Sequence, residues 1–204
     1  MNPIKVKINE VLSNFDNEFI SIKNCGKKYL KYCSIIDIDN SIKIGHNPIV
    51  APENYMIMFF EGVPKNWLNK FKTNTKIKIP EMYQNLLLKI NGCFIFDMNL
   101  FGLTPSLYNN KLLDRAKLQC LSLDIANTNW IKEYNIGSKY FYFGSRSYNE
   151  NENIGYFIVE DKIKTLLCNG KIICEYKNLK EFLTEEIRIS EEMYIKENKI
   201  EELC

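Results

Sequence analysis

This chain of 204 residues has a single histidine, His46, and lacks the glycine-rich patterns that bind phosphates. A cysteine nucleophile needs a neighbouring base to raise its thiolate fraction, and only His46 is present to serve as one. Neither Gly-x-Gly-x-x-Gly nor the phosphate-loop pattern occurs, which disfavours nucleotide chemistry through such loops. We therefore predict that the protein is not an enzyme and that it uses no cofactor.

The chain also lacks a Cys-x-x-Cys pair, although it contains seven cysteines. With only one histidine, a zinc site would have to be assembled almost wholly from scattered cysteines. In a reducing compartment, cysteines at apolar positions behave as small hydrophobic side chains. The sequence therefore predicts no metal site.

No apolar run reaches the length of about 18 residues that a membrane-spanning helix needs. The N-terminus, residues 1–5, lacks the hydrophobic segment and the small-residue cleavage site of a secretory signal. We expect a cytoplasmic protein that does not bind a membrane.

Alanine and arginine are rare, whereas lysine, isoleucine and asparagine are abundant, a usage typical of AT-rich coding DNA. We therefore do not interpret the lysines as a nucleic-acid-binding surface, and we expect no direct nucleic-acid partner. Residues 1–149 carry 19 basic and 12 acidic side chains, whereas residues 150–204 carry 8 and 13. Two interpretations stay open: the acidic C-terminal quarter steers a charged partner, or its carboxylates simply face solvent on a helix.

Near the N-terminus, apolar residues recur at helical spacing and predict an amphipathic helix that ends near Asn17. These residues are Ile4, Ile8, Val11, Leu12 and Phe15. The β-branched and aromatic runs at residues 19–22, 29–36 and 41–44 are separated by turn residues and predict a small antiparallel meander.

Residues 45–53 contain two prolines and are predicted to form a linker. We therefore divide the chain at this point. Residues 1–53 are predicted to be an N-terminal extension, a helix plus short strands, packed on the main domain. Residues 54–204 are predicted to be that main domain, which ends in a charged helix at residues 190–203.

The most informative segment is residues 79–102, which contains the start, the buried face and the end of one short helix. Pro80 suits the first helical position because its missing N–H would have no partner there. Tyr83 begins an apolar face with spacing i, i+3, i+4 and i+7. Asn91-Gly92 is predicted to end the helix because glycine readily adopts the left-handed conformation. A short strand, residues 93–96, and then Phe101-Gly102 follow.

This order of elements resembles the SUKH superfamily, which contains bacterial toxin-immunity proteins and fungal regulators of cell-wall glucan synthesis. The residues that carry the resemblance are Pro80, Tyr83, Asn91, Gly92, Phe101 and Gly102. The likeness covers residues 65–187. It implies an α+β fold, a mainly antiparallel sheet with helices packed against it, to which the N-terminal helix and small β-meander are added. It also implies that the six matching residues are scaffold positions.

Later segments carry strong local signals. Residues 140–143 alternate aromatic side chains with nothing strongly polar, so both faces of that strand should be covered. Asn169-Gly170 predicts a hairpin with a type I′ turn. Asn178 and Glu181 are predicted to cap the start of a helix.

The segment 140–154 places aromatic and charged residues in a predicted polar loop between two strands. We predict that Arg146, Tyr148, Glu150 and Glu152 contribute to partner binding, because tyrosine and arginine anchor interfaces and acids supply complementarity. The alternative is that residues 145–153 form only a long, mobile hairpin loop.

The resemblance implies a binding function. The leading hypothesis is a bacterial immunity protein that binds a cognate secreted toxin domain, such as a nuclease, and neutralises it in a stoichiometric protein complex. The alternative is a regulatory or scaffold interaction module with no toxin partner, and a third, weaker one is an enzyme with an unrecognised site. The identity of the partner does not follow from the fold, because function resides in the variable surface.

Overall fold

The computed structural model describes residues 2–37, 40–48, 50–108, 120–149 and 151–198. The strands are β1 (Ser34–Ile36), β2 (Ile42–His46), β3 (Tyr55–Glu61), β4 (Ile90–Ile95), β5 (Met98–Leu100), β6 (Phe141–Asn149), β7 (Glu152–Val159), β8 (Lys162–Leu167) and β9 (Ile172–Tyr176). The helices are α1 (Pro3–Ser13), α2 (Ile20–Tyr29), α3 (Lys65–Thr75), α4 (Glu81–Lys89), α5 (Pro105–Tyr108), α6 (Leu123–Thr128) and α7 (Leu179–Asn198). Short 3₁₀ turns lie at Asn17–Phe19 and Trp130–Glu133.

The fold is α+β. All nine strands form one antiparallel sheet in which each strand pairs with its neighbour in chain order. Helices pack against this sheet, as predicted. Within the described ranges, none of the helices combines the length and the apolar character that crossing a bilayer requires.

The N-terminal region is part of the same sheet and core. The predicted first helix is present as α1, which buries Ile8 and Leu12, but it ends at Ser13 and not near Asn17 as predicted. The predicted strand at residues 19–22 is wrong, because those residues lie in the 3₁₀ turn and in α2. Gly26, interpreted as a turn residue, lies within α2, where an added Cβ would be only 2.8 Å from Leu12 Cδ2. Glycine here allows α1 and α2 to approach closely.

The predicted linker is the connection of a hairpin. Asn47 N donates to Asn54 O at 2.9 Å, closing the turn between β2 and β3. One hydrophobic cluster extends from Ile8 to Ile187. The boundary predicted at residue 53 therefore falls within a continuous sheet and a continuous core.

The helix at residues 80–90 is present, but its ends differ from the prediction. Pro80 is the N-cap, and the helix begins at Glu81. The helix ends at Lys89, and Ile90 is already extended. Gly92 does have a positive φ of 80°, but it lies inside β4, where an added Cβ would be 2.5 Å from Leu100 O. The glycine therefore permits a close approach of two chain segments and does not form a left-handed helix cap.

The type I′ turn that was predicted at Asn169-Gly170 occurs in a different hairpin. The β7–β8 connection has positive φ at both Glu160 (51°) and Asp161 (59°), the signature of a type I′ turn. In the predicted hairpin at Asn169-Gly170, only Gly170 has positive φ. Gly170 N donates to Leu167 O at 2.8 Å, and Leu167 N donates to Lys171 O at 3.0 Å. This pattern is a type I turn followed by a glycine bulge.

Helix α7 begins as predicted but is longer than predicted. Asn178 caps α7 as predicted, with Glu181 N donating to Asn178 Oδ1 at 2.9 Å. A single helix then continues from Leu179 to Asn198, where two helices were predicted.

Strand β6 extends to Asn149, so most of the loop predicted at residues 145–153 is paired strand.

Candidate functional site

Five of the six residues that carry the superfamily resemblance meet at the junction of α4, β4 and β5, whereas Pro80 caps the opposite end of α4. Tyr83 is fully buried, and its hydroxyl lies 2.5 Å from Phe101 O and 3.2 Å from Phe143 O. Phe101 is also buried and packs edge-to-face on the ring of Tyr142 at 5.1 Å. These contacts fasten α4 to the sheet.

Asn91 and Gly102 complete the same junction. Asn91 Nδ2 donates to Leu103 O, and Leu103 N donates to Asn91 Oδ1, both at 2.7 Å. An added Cβ at Gly102 would be 2.2 Å from Asn91 O. All of these polar groups bind backbone within the chain, which gives the junction a structural role.

Arg146 does not belong to an exposed binding patch, contrary to its predicted role. Its side chain is only 6% exposed. The guanidinium donates from Nε to Glu186 Oε2 at 2.6 Å and from Nη1 to Ser147 O at 2.7 Å. Sequence analysis missed Glu186 because it lies forty residues further along the chain, on a helix of which only the capped start was predicted.

Glu186 is the centre of a buried polar cluster beneath α7. Its side chain is 1% exposed, and it accepts hydrogen bonds from Arg146, from Tyr156 Oη (2.9 Å) and from Tyr176 Oη (2.7 Å). Burial lowers the pKa of Arg146, but Glu186, together with Tyr156 and Asp97, outweighs burial, so the pKa of Arg146 is raised. Burial, reinforced by Glu186, raises the pKa of both tyrosines, so they stay neutral donors.

A second carboxylate, Asp97, lies beneath the same helix in the turn between β4 and β5. Both of its oxygens are buried, and neither makes a hydrogen bond within the described part of the chain. Burial raises the pKa of Asp97, while the Ser190 hydroxyl and the charge of Arg146 oppose that shift. Asp97 is therefore held much less favourably than Glu186.

Helix α7 also binds the N-terminal region. Glu191 accepts from Lys28 Nζ at 2.7 Å and from Tyr29 Oη at 2.5 Å. Tyr194 Oη accepts from Asn47 Nδ2 at 3.0 Å and from Asn54 Nδ2 at 3.1 Å. Through these contacts α7 joins the first 54 residues to the C-terminal strands.

Two of the four predicted partner-binding residues are exposed at the tip of the β6–β7 hairpin. Tyr148 is 41% exposed, and Glu152 is also exposed. Asn149 stiffens this tip, since its Nδ2 donates to Glu152 Oε2 at 3.0 Å and its Oδ1 accepts from Asn151 N at 2.9 Å. Glu150, the fourth predicted residue, lies outside the described residues.

His46 is the last residue of β2, beside the turn that leads to β3. Its Nε2 lies 2.9 Å from Pro52 O, and its ring packs 5.0 Å from the ring of Tyr55. No cluster of three or more potential metal ligands occurs in the ranges that the structure describes.

Two surface clefts lie elsewhere. One, of about 370 Å³, lies between Pro80 and the β7–β8 turn. The other, of about 580 Å³, lies between the end of β9 and the first turns of α7. His46 lines neither of them.

Comparison with known proteins returned no match: no family model matches the sequence, no curated protein matches it, and no solved structure matches the fold. The resemblance to the SUKH superfamily therefore stays a prediction, based on the residues of the junction between α4 and the sheet.

Proposed function

We propose that this protein is an immunity protein that acts in the cytoplasm, where it binds a cognate secreted toxin domain and neutralises it in a stoichiometric protein complex. The observation that supports a binding role most directly is the β6–β7 hairpin. Its tip presents Tyr148 and Glu152 to solvent, while its base is held by the buried pair of Arg146 and Glu186.

A paired hairpin is a favourable recognition element, because strand pairing already restricts the backbone and less conformational freedom is lost on binding. The ladder of β6 and β7 extends to the pair Asn149 and Glu152, so the exposed side chains project from paired strand. Tyrosine contributes a large contact area with few rotatable bonds, which makes Tyr148 the expected anchor.

The partner proposed here has a basic surface, such as that of a nuclease. Residues 150–204 carry five more acidic than basic side chains. Part of this charge is neutralised within α7, where Arg188 pairs with Glu185 at 2.6 Å and with Glu192 at 2.5 Å. Acidic charge near the hairpin would accelerate encounter with a basic toxin at low salt, and added salt would screen it.

The test is to identify the gene beside this one, to express the domain that it encodes, and to titrate the toxic activity of that domain with the purified protein. We expect complete inhibition at one equivalent and a complex whose mass, measured by light scattering, equals that of one copy of each chain. Association rates at low and high salt test the electrostatic component, and a rate insensitive to salt contradicts steering.

The binding surface is tested with the double variant Tyr148→Ala, Glu152→Gln. We expect affinity for the toxin to fall by about tenfold or more, since an anchor residue typically contributes over 1 kcal/mol. Matched controls are Leu88→Ala, at a residue with the same 41% exposure as Tyr148, and Glu10→Gln, at an exposed position of α1. Unchanged affinity in the double variant would exclude the hairpin. Tight binding of a host protein, without toxin neutralisation, would instead support the regulatory or scaffold alternative.

A further inference from the structure

The C-terminal half of α7, residues 190–198, covers buried oxygens that have no hydrogen-bond donor in the described part of the chain. They are Asp97 Oδ1 and Oδ2, Ser190 Oγ and Asn47 Oδ1. Ser190 lies beside Asp97 and favours its charged form, but the geometry falls short of a normal hydrogen bond. An unsatisfied buried carboxylate is unfavourable, more so when it is charged.

The charged groups around Asp97 offset its burial only in part. Arg146, on β6, favours the charged carboxylate more than Glu197, on α7, disfavours it, yet burial still raises the pKa of Asp97. The guanidinium of Arg146 is already paired with Glu186, and the Tyr156 hydroxyl on β7 also donates to Glu186. Asp97 and Glu186 therefore both lie near the buried guanidinium of Arg146, but the hydrogen bonds are made to Glu186.

The turn beneath this half of α7 is also strained. Phe96, next to Asp97, has a positive φ of 55°, which is rare for a bulky residue. Its ring is held between Tyr29, at 5.3 Å, and Tyr194 of α7, at 5.2 Å. The same half-helix thus covers both a strained turn and a buried carboxylate whose charge is only partly compensated.

We propose that residues 190–198 form a strap that detaches locally from the sheet when Asp97 is negatively charged and closes over it when Asp97 is neutral. Detachment hydrates Asp97 and removes the contact of Met193 Sδ with Arg146 Nη1, at the base of the hairpin that carries Tyr148. The first half of α7 stays attached through Glu186. The proposal is independent of the toxin partner.

The direction of the pH effect follows from burial. In the closed strap the pKa of Asp97 is raised above its ordinary value of 3.8, whereas in the open strap the carboxylate is hydrated. Closure is therefore strongest at low pH and weakens as the pH rises from 3.8 through the raised pKa.

Hydrogen exchange of the full-length protein tests the strap. Exchange in residues 190–198, corrected for intrinsic rates, is compared at pH 4.5 and pH 8 with exchange in residues 179–189. We expect protection of the strap alone to fall with pH, with a limit of about tenfold for each unit by which burial raises the pKa. In Asp97→Asn this decrease should disappear.

The matched control is Asp161→Asn, in the exposed β7–β8 turn, which should behave as the unaltered protein. A second variant, Ser190→Ala, removes the hydroxyl that favours the charged form, so it should loosen the strap more at pH 8 than at pH 4.5. Equal protection of the strap at both pH values in the unaltered protein would overturn the proposal. So would a pH trend that Asp97→Asn retains, or faster exchange throughout the chain in Asp97→Asn.

Discussion

Two carboxylates lie beneath the same helix, α7, in contrasting environments. Glu186 accepts three hydrogen bonds, one each from β6, β7 and β9, whereas Asp97 accepts none within the described residues. Glu186 lies over paired strands that fix its donors independently. Asp97 lies in a turn at the end of β4, where no strand in the described ranges supplies a donor. A buried charge is therefore tolerated where separate elements of the sheet hold its partners in place.

The largest expected effect comes from Glu186→Gln. Loss of this charge leaves the guanidinium of Arg146 buried without its counter-ion, which costs about 3 kcal/mol or more. Urea denaturation followed by circular dichroism measures the change. The double variant Arg146→Met, Glu186→Leu should recover only part of the loss, because the hydroxyls of Tyr156 and Tyr176 would lack their acceptor. If Glu186→Gln left stability unchanged, the cluster would not hold α7.

The next effect is that of Tyr176→Phe, which removes one of the three donors. A hydrogen bond to a charged group contributes about 2 kcal/mol, and the ring itself is retained. The free energy of unfolding should therefore fall by less than in Glu186→Gln. A loss equal to or greater than that of Glu186→Gln would show that Tyr176 stabilises the protein mainly by packing.

Asp97→Asn should change stability in the opposite direction. It removes a buried charge that is only partly compensated. The free energy of unfolding should therefore rise by about 1 kcal/mol at pH 8, the low end of the range for an unsatisfied buried group. Because burial raises the pKa of Asp97, the penalty for its charge is absent below the ordinary value of 3.8 and grows with pH. The gain should thus shrink as the pH falls. A loss of stability at pH 8 would mean that Asp97 is compensated.

The smallest effect is expected for Arg188→Ala, on the solvent face of α7. Arg188 pairs with Glu185 and Glu192, but all three side chains are at least two-fifths exposed. Exposed ion pairs are largely screened and contribute little. The denaturation midpoint should not change measurably. A clear shift would show that charge on the outer face, as well as beneath it, holds α7.

Several elements could be predicted because their causes are local. The spacing of Ile8 and Leu12 predicted α1, and Asn178 predicted the start of α7 through its bond to Glu181 N. The predicted order of a helix, a strand and then Phe101-Gly102 is also present in the structure. Within such segments, periodicity and capping act over a few residues, so the local sequence is sufficient to predict the element.

Other features could not be predicted because neighbours distant in the chain decide them. Gly26 signals a turn by itself, yet the approach of Leu12 from another helix makes it a packing residue. Arg146 suggests a surface anchor among polar neighbours, yet α7 covers it. Among the predicted partner-binding residues that the structure describes, Tyr148 and Glu152 keep the exposure that the loop prediction implied, and Arg146 does not.

By itself the amino-acid sequence determined α1, the start of α7 and the place of the hairpin at Asn169-Gly170, because these follow from local backbone preferences and from hydrophobic spacing. The fold class was expected from the superfamily resemblance. Only the tertiary structure decided which charges are buried and how they are paired. The reason is that the free energy of a buried charge depends on donors and dipoles that converge from several strands and a helix, and no local pattern records that convergence.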